Sequence, residues 1–309
     1  MSAIGIDIGG TKSYAVRWGS SGIEQESRVE HDPAIETVDA ISAAIDRVAD
    51  GTETAIGVGI AGLVDAKDRR FVWGPHVRGA GLAIGDIVEE QFNVPVFVDN
   101  DANTALHGEL RMGVAEGYRN VLLVTLGTGI GGAIAIDGQI YRGEGFAGEW
   151  GHMKVMHEGL LCDCGKRGCW ETVASGPALE RLAREVVSAN PNSSLALALV
   201  GEPPTGALVV SAADRGEQTA LALVAEVGRS FGLGLANLAA IFDPELIVVG
   251  GGLGSVGESL LGPARRTLVD SLHGGSHRVA PTVHVGQLGQ AAGAVGAAIL
   301  AAEGGTHVV

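Results

Sequence analysis

Cysteine, aromatic residues and positive charge are all in short supply. The 309-residue chain holds three Cys, 4% Phe, Trp and Tyr together, and 21 Lys+Arg against 36 Asp+Glu, for a net charge of −15. Three thiols cannot build the disulfide framework of a small secreted domain. All of them fall within residues 162–169, a spacing that suits a metal in a reducing compartment. The acid excess, with no basic stripe in any segment, speaks against duplex nucleic acid as a partner. No basic region or small-residue cleavage site follows Met1, so no secretory signal is expected. Long apolar runs are missing too. Val121–Ile136 is broken by Gly and Thr, and the uncharged Val285–Ala302 is rich in Ala, Gly and Gln, too weakly apolar for a membrane span. It reads as a buried terminal helix. The expectation is a cytoplasmic protein with no nucleic-acid and no membrane partner.

Glycine is what the chain has in excess: 49 of 309 residues, about 16% against a usual share of roughly 7%. Apolar residues reach 46%, enough to bury a core in one large or two ordinary domains. The glycines cluster as DIGGT, GTGIGG and VVGGGLG between apolar runs, which places backbone chemistry in tight loops.

Ala3–Ile8 and Ser13–Trp18 read as strands joined by the hairpin Gly9–Lys12. Helices are expected at Thr37–Ala49, Ile84–Phe92, Ala102–Glu109, 177–189, 217–242, 257–271 and Gln290–Ala301. Further strands are expected at Thr54–Ala61, Arg69–Trp73, Pro95–Val98, Asn120–Leu126, Ala133–Ile136, Gln139–Arg142, Leu246–Val249 and Thr282–Val285. Residues 143–177 look like a site-bearing insertion, and 190–205 like a loop. AIGIDIGGTKSYAVRW and VLLVTLGTGIGGAIAIDG share one layout of strand, Gly/Thr loop and strand. That repeat predicts an internally duplicated α/β architecture.

Gly127–Gly132 and Gly57–Gly62 both match G-x-G-x-x-G. A dinucleotide fingerprint needs a helix directly afterwards, and neither match has one. No G-x-x-x-x-G-K-[ST] occurs. The hairpin loops therefore read as anion nests, in which N–H groups and the Thr11 or Thr128 hydroxyl hold phosphate oxygens. Asp7 beside a triphosphate calls for a cation, so it reads as a ligand of Mg²⁺ through water; a turn-capping Asp is the alternative. Asp99-Asn100-Asp101 ends an apolar strand, where open α/β sheets bind ligands. One of the three caps the next helix, Asn100 orients substrate and Asp101 is the general base. Cys162, Cys164 and Cys169, spaced C-x-C-x₄-C, need a fourth ligand for tetrahedral zinc, from His152 or His157. Such a closed structural site would steady Glu149, His152 and Glu171 on the adjoining loops.

DIGGTK (7–12), GIAGLVD (59–65), DNDAN (99–103), TLGTGIGGAI (125–134), GEWGH (148–152), CDCGKRGCWE (162–171) and DPELIVVGGGLG (243–254) together resemble the ROK family. That family combines ATP-dependent sugar kinases with related transcriptional repressors. The motifs run in order over nearly the whole chain, nearest to the family's glucose-phosphorylating actinobacterial members. The resemblance implies an α/β chain of the actin-like ATPase (ribonuclease H-like) fold, two lobes with an active-site cleft between them. The small lobe would be 1–108 plus 293–309. The large lobe would be 109–292, with the zinc knuckle and a dimerisation surface.

Carried over by motif, Asp101 is the catalytic base. Gly62, Asn100, Asp101, Glu149, His152 and Glu171 contact the sugar. His152, Cys162, Cys164 and Cys169 hold structural Zn²⁺, with His152 giving one ring nitrogen to the metal and one to the sugar. Asp7, Gly9, Gly10, Thr11, Lys12, Gly127, Thr128 and Gly129 face the phosphates of Mg·ATP, and Gly250, Gly251 and Gly252 lie near adenosine. Pro75-His76-Val77 departs from the family pattern: His76 either replaces an amide contact to the sugar or is a surface loop residue. The implied reaction phosphorylates the 6-hydroxyl of an aldohexose, glucose first, in a homodimer or a dimer of dimers. An N-acetylhexosamine (N-acetylglucosamine or N-acetylmannosamine) kinase is the second reading. A sugar-sensing regulator is the third, disfavoured because Asp7 leaves no room ahead of it for a helix-turn-helix. Polyphosphate is an open alternative donor.

Overall fold

Ile4, Ile6 and Ile8 alternate along the first strand, so one of its faces carries three branched apolar side chains, all buried. The computed structural model, which describes residues 2–32, 35–75, 77–199 and 202–305, builds a sheet around that strand. The chain forms β1 (Ser2–Ile8), β2 (Lys12–Gly19), β3 (Gly22–Glu30), α1 (Thr37–Asp46), β4 (Glu53–Ile60), β5 (Leu63–Asp65), β6 (Arg70–Trp73), α2 (Ile84–Phe92), β7 (Val96–Asn100) and α3 (Asp101–Met112). It continues through β8 (Val121–Leu126), β9 (Ile130–Ile136), β10 (Gln139–Ile140), α4 (Gly176–Ala189), α5 (Ser194–Ala198), α6 (Gly206–Asp214), α7 (Gln218–Phe242), β11 (Leu246–Gly250), α8 (Glu258–Ser271), β12 (Thr282–Val285) and α9 (Ala292–Ala302).

The first sheet has the order β3-β2-β1-β4-β7. The β1–β2–β3 meander is antiparallel, and β1, β4 and β7 run parallel. The second sheet has the order β10-β9-β8-β11-β12. Counting strands along the chain, both orders are third, second, first, fourth, fifth. The repeat seen in the two glycine hairpins thus extends to whole sheets.

By contacts the chain divides into two compact units: Met1–Leu123 with Ala133–Gly148 and Gly286–Val309, and Val124–Gly132 with Glu149–Val285. In the first unit the isoleucines of β1 pack on Ile41 and Ile45 of α1, with Phe71, Ile84 and Val88 in the same core. The other face of the sheet carries α9. A Cβ on Gly5 would stand 1.9 Å from the Ala294 carbonyl oxygen, and one on Gly57 1.9 Å from that of Ala297. Helix backbone therefore lies directly on the sheet. Residues 292–301 are buried all round, as a helix apolar on every side requires.

In the second unit Trp170 stacks on Phe231 of α7, ring centroids 5.4 Å apart, and its Nε1 donates to the Ser230 carbonyl at 3.0 Å. The cysteine segment is pinned to that helix. Among the described residues α7 alone has the length and hydropathy of a membrane span, but half of its most apolar window is buried, as in the core helix of a globular unit.

Candidate active site

The β7–α3 junction settles which polar residue is the cap. Asn100 Oδ1 accepts from the N–H groups of Ala102 (2.8 Å) and Asn103 (3.2 Å), and its Nδ2 donates to the Gly62 carbonyl at 2.9 Å. Asn100 thus satisfies orphan donors of the first turn and brings Gly62 beside the junction. Asp101 is left as the first residue of α3, with no capping duty. Burial raises its carboxyl above the ordinary range. Hydrogen bonds from backbone N–H groups and from Asn100 oppose that, and the charge of Asp99 reinforces it.

Asp7, at the carboxyl end of β1, is raised to about 7 by burial first, then by repulsion from Asp101, with Lys12 opposing. The two carboxylates expected to act on phosphate and hydroxyl are therefore neighbours. Asp7 also touches α9: a Cβ on Gly293 would lie 2.7 Å from Asp7 Cγ. The Gly9–Lys12 turn is closed by the Gly9 N–H donating to the Lys12 carbonyl at 3.0 Å, and Thr11 and Lys12 are exposed.

In the second unit, β9 begins at Ile130, so a strand follows the GTGIGG loop, as expected. The Gly127 N–H donates to the Gly129 carbonyl at 3.0 Å, and the Gly127 carbonyl accepts from the Gly176 N–H at 2.8 Å. Thr125 Oγ1 accepts from the Gly131 N–H at 3.1 Å. Gly250–Gly252 meets the same loop from β11. Leu253 N–H donates to the Leu126 carbonyl at 2.9 Å, and a Cβ on Gly251 (φ +81°) would lie 2.5 Å from that oxygen. Loops expected near phosphate (Gly127, Thr128, Gly129) and adenosine (Gly250, Gly251, Gly252) adjoin. Gly129 lies beside Glu171, since a Cβ there would stand 2.8 Å from Glu171 Oε2.

The donor atoms of His152, Cys162, Cys164 and Cys169 all lie within 4.8 Å of one another, and His157 is not among them. Cys164 and Cys169 sulfurs are 3.6 Å apart, and Cys162 Sγ is 3.7 Å from His152 Nδ1. A tetrahedron with bonds of roughly 2.0–2.3 Å has edges of about 3.5–3.8 Å, so three thiols and one imidazole fit zinc by type and spacing. Lys154 Nζ donates to Cys169 Sγ at 2.8 Å. Burial pushes the Cys169 thiol up, but hydrogen bonds from Lys154, the other thiols and His152 outweigh it and hold it low. Burial and the bond to Glu171 push the Cys162 thiol up. Glu171 Oε1 lies 3.2 Å from His152 Nδ1 and raises that ring to about 9. Glu171 and Cys162 thus both approach the Nδ1 side of the His152 ring.

Glu149 is exposed at the head of the Trp150–His152 turn. His76 lies outside the described residues. Lys154 carried no signal in the sequence, because nothing about its spacing marks a thiolate partner. Gly293 was detectable only as one small residue among several in a Gly/Ala-rich helix.

Two sheets of one strand order, a glycine turn opening each and a carboxylate pair at strand ends define a protein of the actin-like ATPase (ribonuclease H-like) fold. The chain belongs to the ROK family, whose model matches residues 3–304. The glucokinase of Streptomyces coelicolor is 39% identical over 313 residues, spanning 97% of each chain. The ROK family glucokinase from Streptomyces griseus, solved in complex with glucose and AMPPNP, superposes with a TM-score of 0.89 at 40% identity, covering 98% of this chain and 100% of that one. ROK hexokinase from Thermus thermophilus gives 0.77 at 31% identity, covering 98% and 99%.

Proposed function

We propose that this chain transfers the γ-phosphoryl group of ATP to the 6-hydroxyl of an aldohexose, with glucose the preferred acceptor. The observation that carries this is Asp101, released from capping by Asn100 and set beside Asp7. Likeness to glucokinases along nearly the full chain supports it. Asp101 takes the hydroxyl proton as the sugar oxygen attacks in line. A carboxylate that burial makes hold its proton more tightly is a stronger base than an ordinary one, and such help is worth about 10²–10⁴ in rate. Asn100, Glu149, His152 and Glu171 offer fixed partners for sugar hydroxyls, with Gly62 held beside Asn100. Glycine turns at 9–12 and 127–129 supply N–H groups for phosphate oxygens, where positioning and electrostatics carry most of the catalysis. Mg²⁺, held through water by Asp7, would neutralise phosphate charge; zinc on His152, Cys162, Cys164 and Cys169 would supply rigidity.

The reading places the enzyme in the cytoplasm, consistent with three free thiols. It retains the lobes 1–108 plus 293–309 and 109–292, and a homodimer formed by the larger. Leu233 and Ile241 on α7 and Val269 on α8, all more than half exposed, support an interface there. A coupled assay of ADP release across glucose, mannose, fructose, N-acetylglucosamine and N-acetylmannosamine tests the function, with polyphosphate replacing ATP in a parallel arm. Glucose is expected to give the highest kcat/KM. Preference for an N-acetylhexosamine would move the reading to that substrate, and no turnover on any sugar would end it in favour of a sugar-sensing regulator. Asp101→Ala is expected to cut turnover at least about a hundredfold.

A further inference from the structure

The third polar residue of the β7–α3 junction has no part in the chemistry above, yet it is the most enclosed. Asp99 is 2% exposed, and both of its carboxylate oxygens are engaged. Its Oδ1 accepts the Asn100 N–H at 2.8 Å and Asn103 Nδ2 at 2.9 Å. Its Oδ2 accepts both Arg142 Nε at 2.9 Å and Arg142 Nη2 at 2.6 Å. Arg142 stands just after β10, its side chain 11% exposed, and donates a further bond to the Ile140 carbonyl at 3.3 Å.

One carboxylate therefore ties three things together: the residue before the base, the first turn of the helix that starts at the base, and a guanidinium from a distant loop. Asn100 and Asn103 flank Asp101 on either side, so the direction of the Asp101 side chain depends on where Asp99 holds them. A buried carboxylate keeps that position only while its charge is paired. Arg142 is rigid and two-pronged, and lysine cannot reproduce the contact.

We propose that Asp99 and Arg142 are positioning residues that aim Asp101 at the acceptor hydroxyl, so that Arg142, in the loop after β10, sets the rate of the phosphoryl transfer. The inference rests on Asp101 being the base. Misplacing a reacting group by about 1 Å costs on the order of 10²-fold in rate, whereas the glycine turns read as holding the ATP phosphates, at 9–12 and 127–129, are other stretches of the chain. The effect should therefore fall on kcat, with the KM for ATP changed less than about twofold.

The test is steady-state kinetics on full-length Arg142→Gln, Arg142→Lys, Asp99→Asn, Asp99→Asn/Arg142→Gln and Asp101→Ala, each corrected for its folded fraction by circular dichroism. Arg142→Gln is expected to lose roughly 10–100-fold in kcat, with Arg142→Lys in between. Asp99→Asn sets an amide N–H against the guanidinium, while in the double variant the amide oxygen introduced at position 142 can accept it. The double variant should therefore exceed Asp99→Asn by at least about threefold, a coupling of ordinary size for touching residues. If Arg142→Gln does not fold, Arg142→Lys and the double variant carry the test. Wild-type kcat in folded Arg142 variants, or additive losses in the double, would overturn the inference while leaving Asp101 untouched. Full turnover in Asp101→Ala would instead remove the base on which it rests.

Discussion

Asp7 and Asp101 each hold a proton more tightly than a free carboxyl, and for linked reasons. Both are buried, and a neighbouring carboxylate adds to the effect in each case, Asp101 on Asp7 and Asp99 on Asp101. A folded-state value above the unfolded one, near 3.9, means that ionisation destabilises the fold. The loss begins as pH rises above about 4 and is complete once it passes the Asp7 value of about 7. Asp7→Asn should therefore raise the melting temperature at pH 8 by at least about 2–4 °C and leave it nearly unchanged at pH 4, read by scanning fluorimetry without nucleotide. Equal shifts at both pH values would show that the gain has nothing to do with charge. Under the proposed reaction catalysis should follow the opposite trend, because both groups would act as carboxylates. The acidic limb of kcat/KM is expected near pH 7 at low Mg²⁺ and should move lower as Mg²⁺ is raised, since a nearby cation favours the ionised form. Asp101 was legible as a candidate because an apolar strand runs straight into it. Its altered proton affinity was not, since that comes first from burial, which only the folded chain creates, and then from the charge of Asp99 beside it.

Helices α3 and α9 show how far patterning alone reaches. Val285–Ala302 reads as one buried helix from its apolar content and lack of charge, but only Ala292–Ala302 is; Val285 ends β12, and 286–291 is a partly exposed turn. The ionic lock at the end of α9 was not readable, because it joins Glu303 to residues of α3. Glu303 takes Arg111 Nε at 2.8 Å and lies 3.2 Å from His107 Nε2, which holds its carboxyl down to about 2. A depressed acid contributes stability above its unfolded value of about 4.3, and loses it as pH falls toward 2. Glu303→Gln should cost about 1 kcal/mol at pH 7, a discounted figure because the side chain is 30% exposed. By pH 3 most of that difference should be gone, measured by urea unfolding. Nearer the site, Gly293→Ala puts a methyl group against Asp7. It should raise the Mg²⁺ concentration needed for half-maximal activity several-fold, and an unchanged Mg²⁺ requirement would disconnect that helix end from Asp7. The elements that went unseen have a common cause. β3 is polar apart from Ile23 and Val29, with most residues exposed and one ladder partner, β2, so it offers no sustained alternation to read. α5 and α6 are short helices in or beside a stretch rich in Pro and Gly, where local sequence signals a loop.

At the scale of the whole molecule, duplication was readable because both copies keep a glycine turn between apolar strands, and the matching sheet orders follow from it. Helix–strand order gave no comparable clue to how 143–177 would be held, since that stretch has no periodicity. Its order comes instead from Trp170 stacked on Phe231 and from the cluster of His152 with three thiols. Binding free energy at a structural metal site is folding free energy, so removing the metal should loosen this stretch before the two sheets. Elemental analysis is expected to find about one zinc per chain, and Cys164→Ser should release it and lower the melting temperature. The kinetic consequence should be selective. His152, Cys162, Cys164 and Cys169 would hold the metal, and a metal drawing the His152 ring away from Glu171 would leave that carboxylate freer for a sugar hydroxyl. Without metal, Glu171 Oε1 stays engaged by His152 Nδ1 at 3.2 Å and by the Cys162 thiol at 2.8 Å, which would leave that carboxylate less available to the substrate. Chelation should therefore raise the KM for glucose by about tenfold or more, the lower end of what a hydrogen bond to a charged group contributes, while the KM for ATP stays near its starting value. Full activity in protein shown to be free of zinc, or equal loss of affinity for both substrates, would mean that these four residues fold the loop without governing how it meets the sugar.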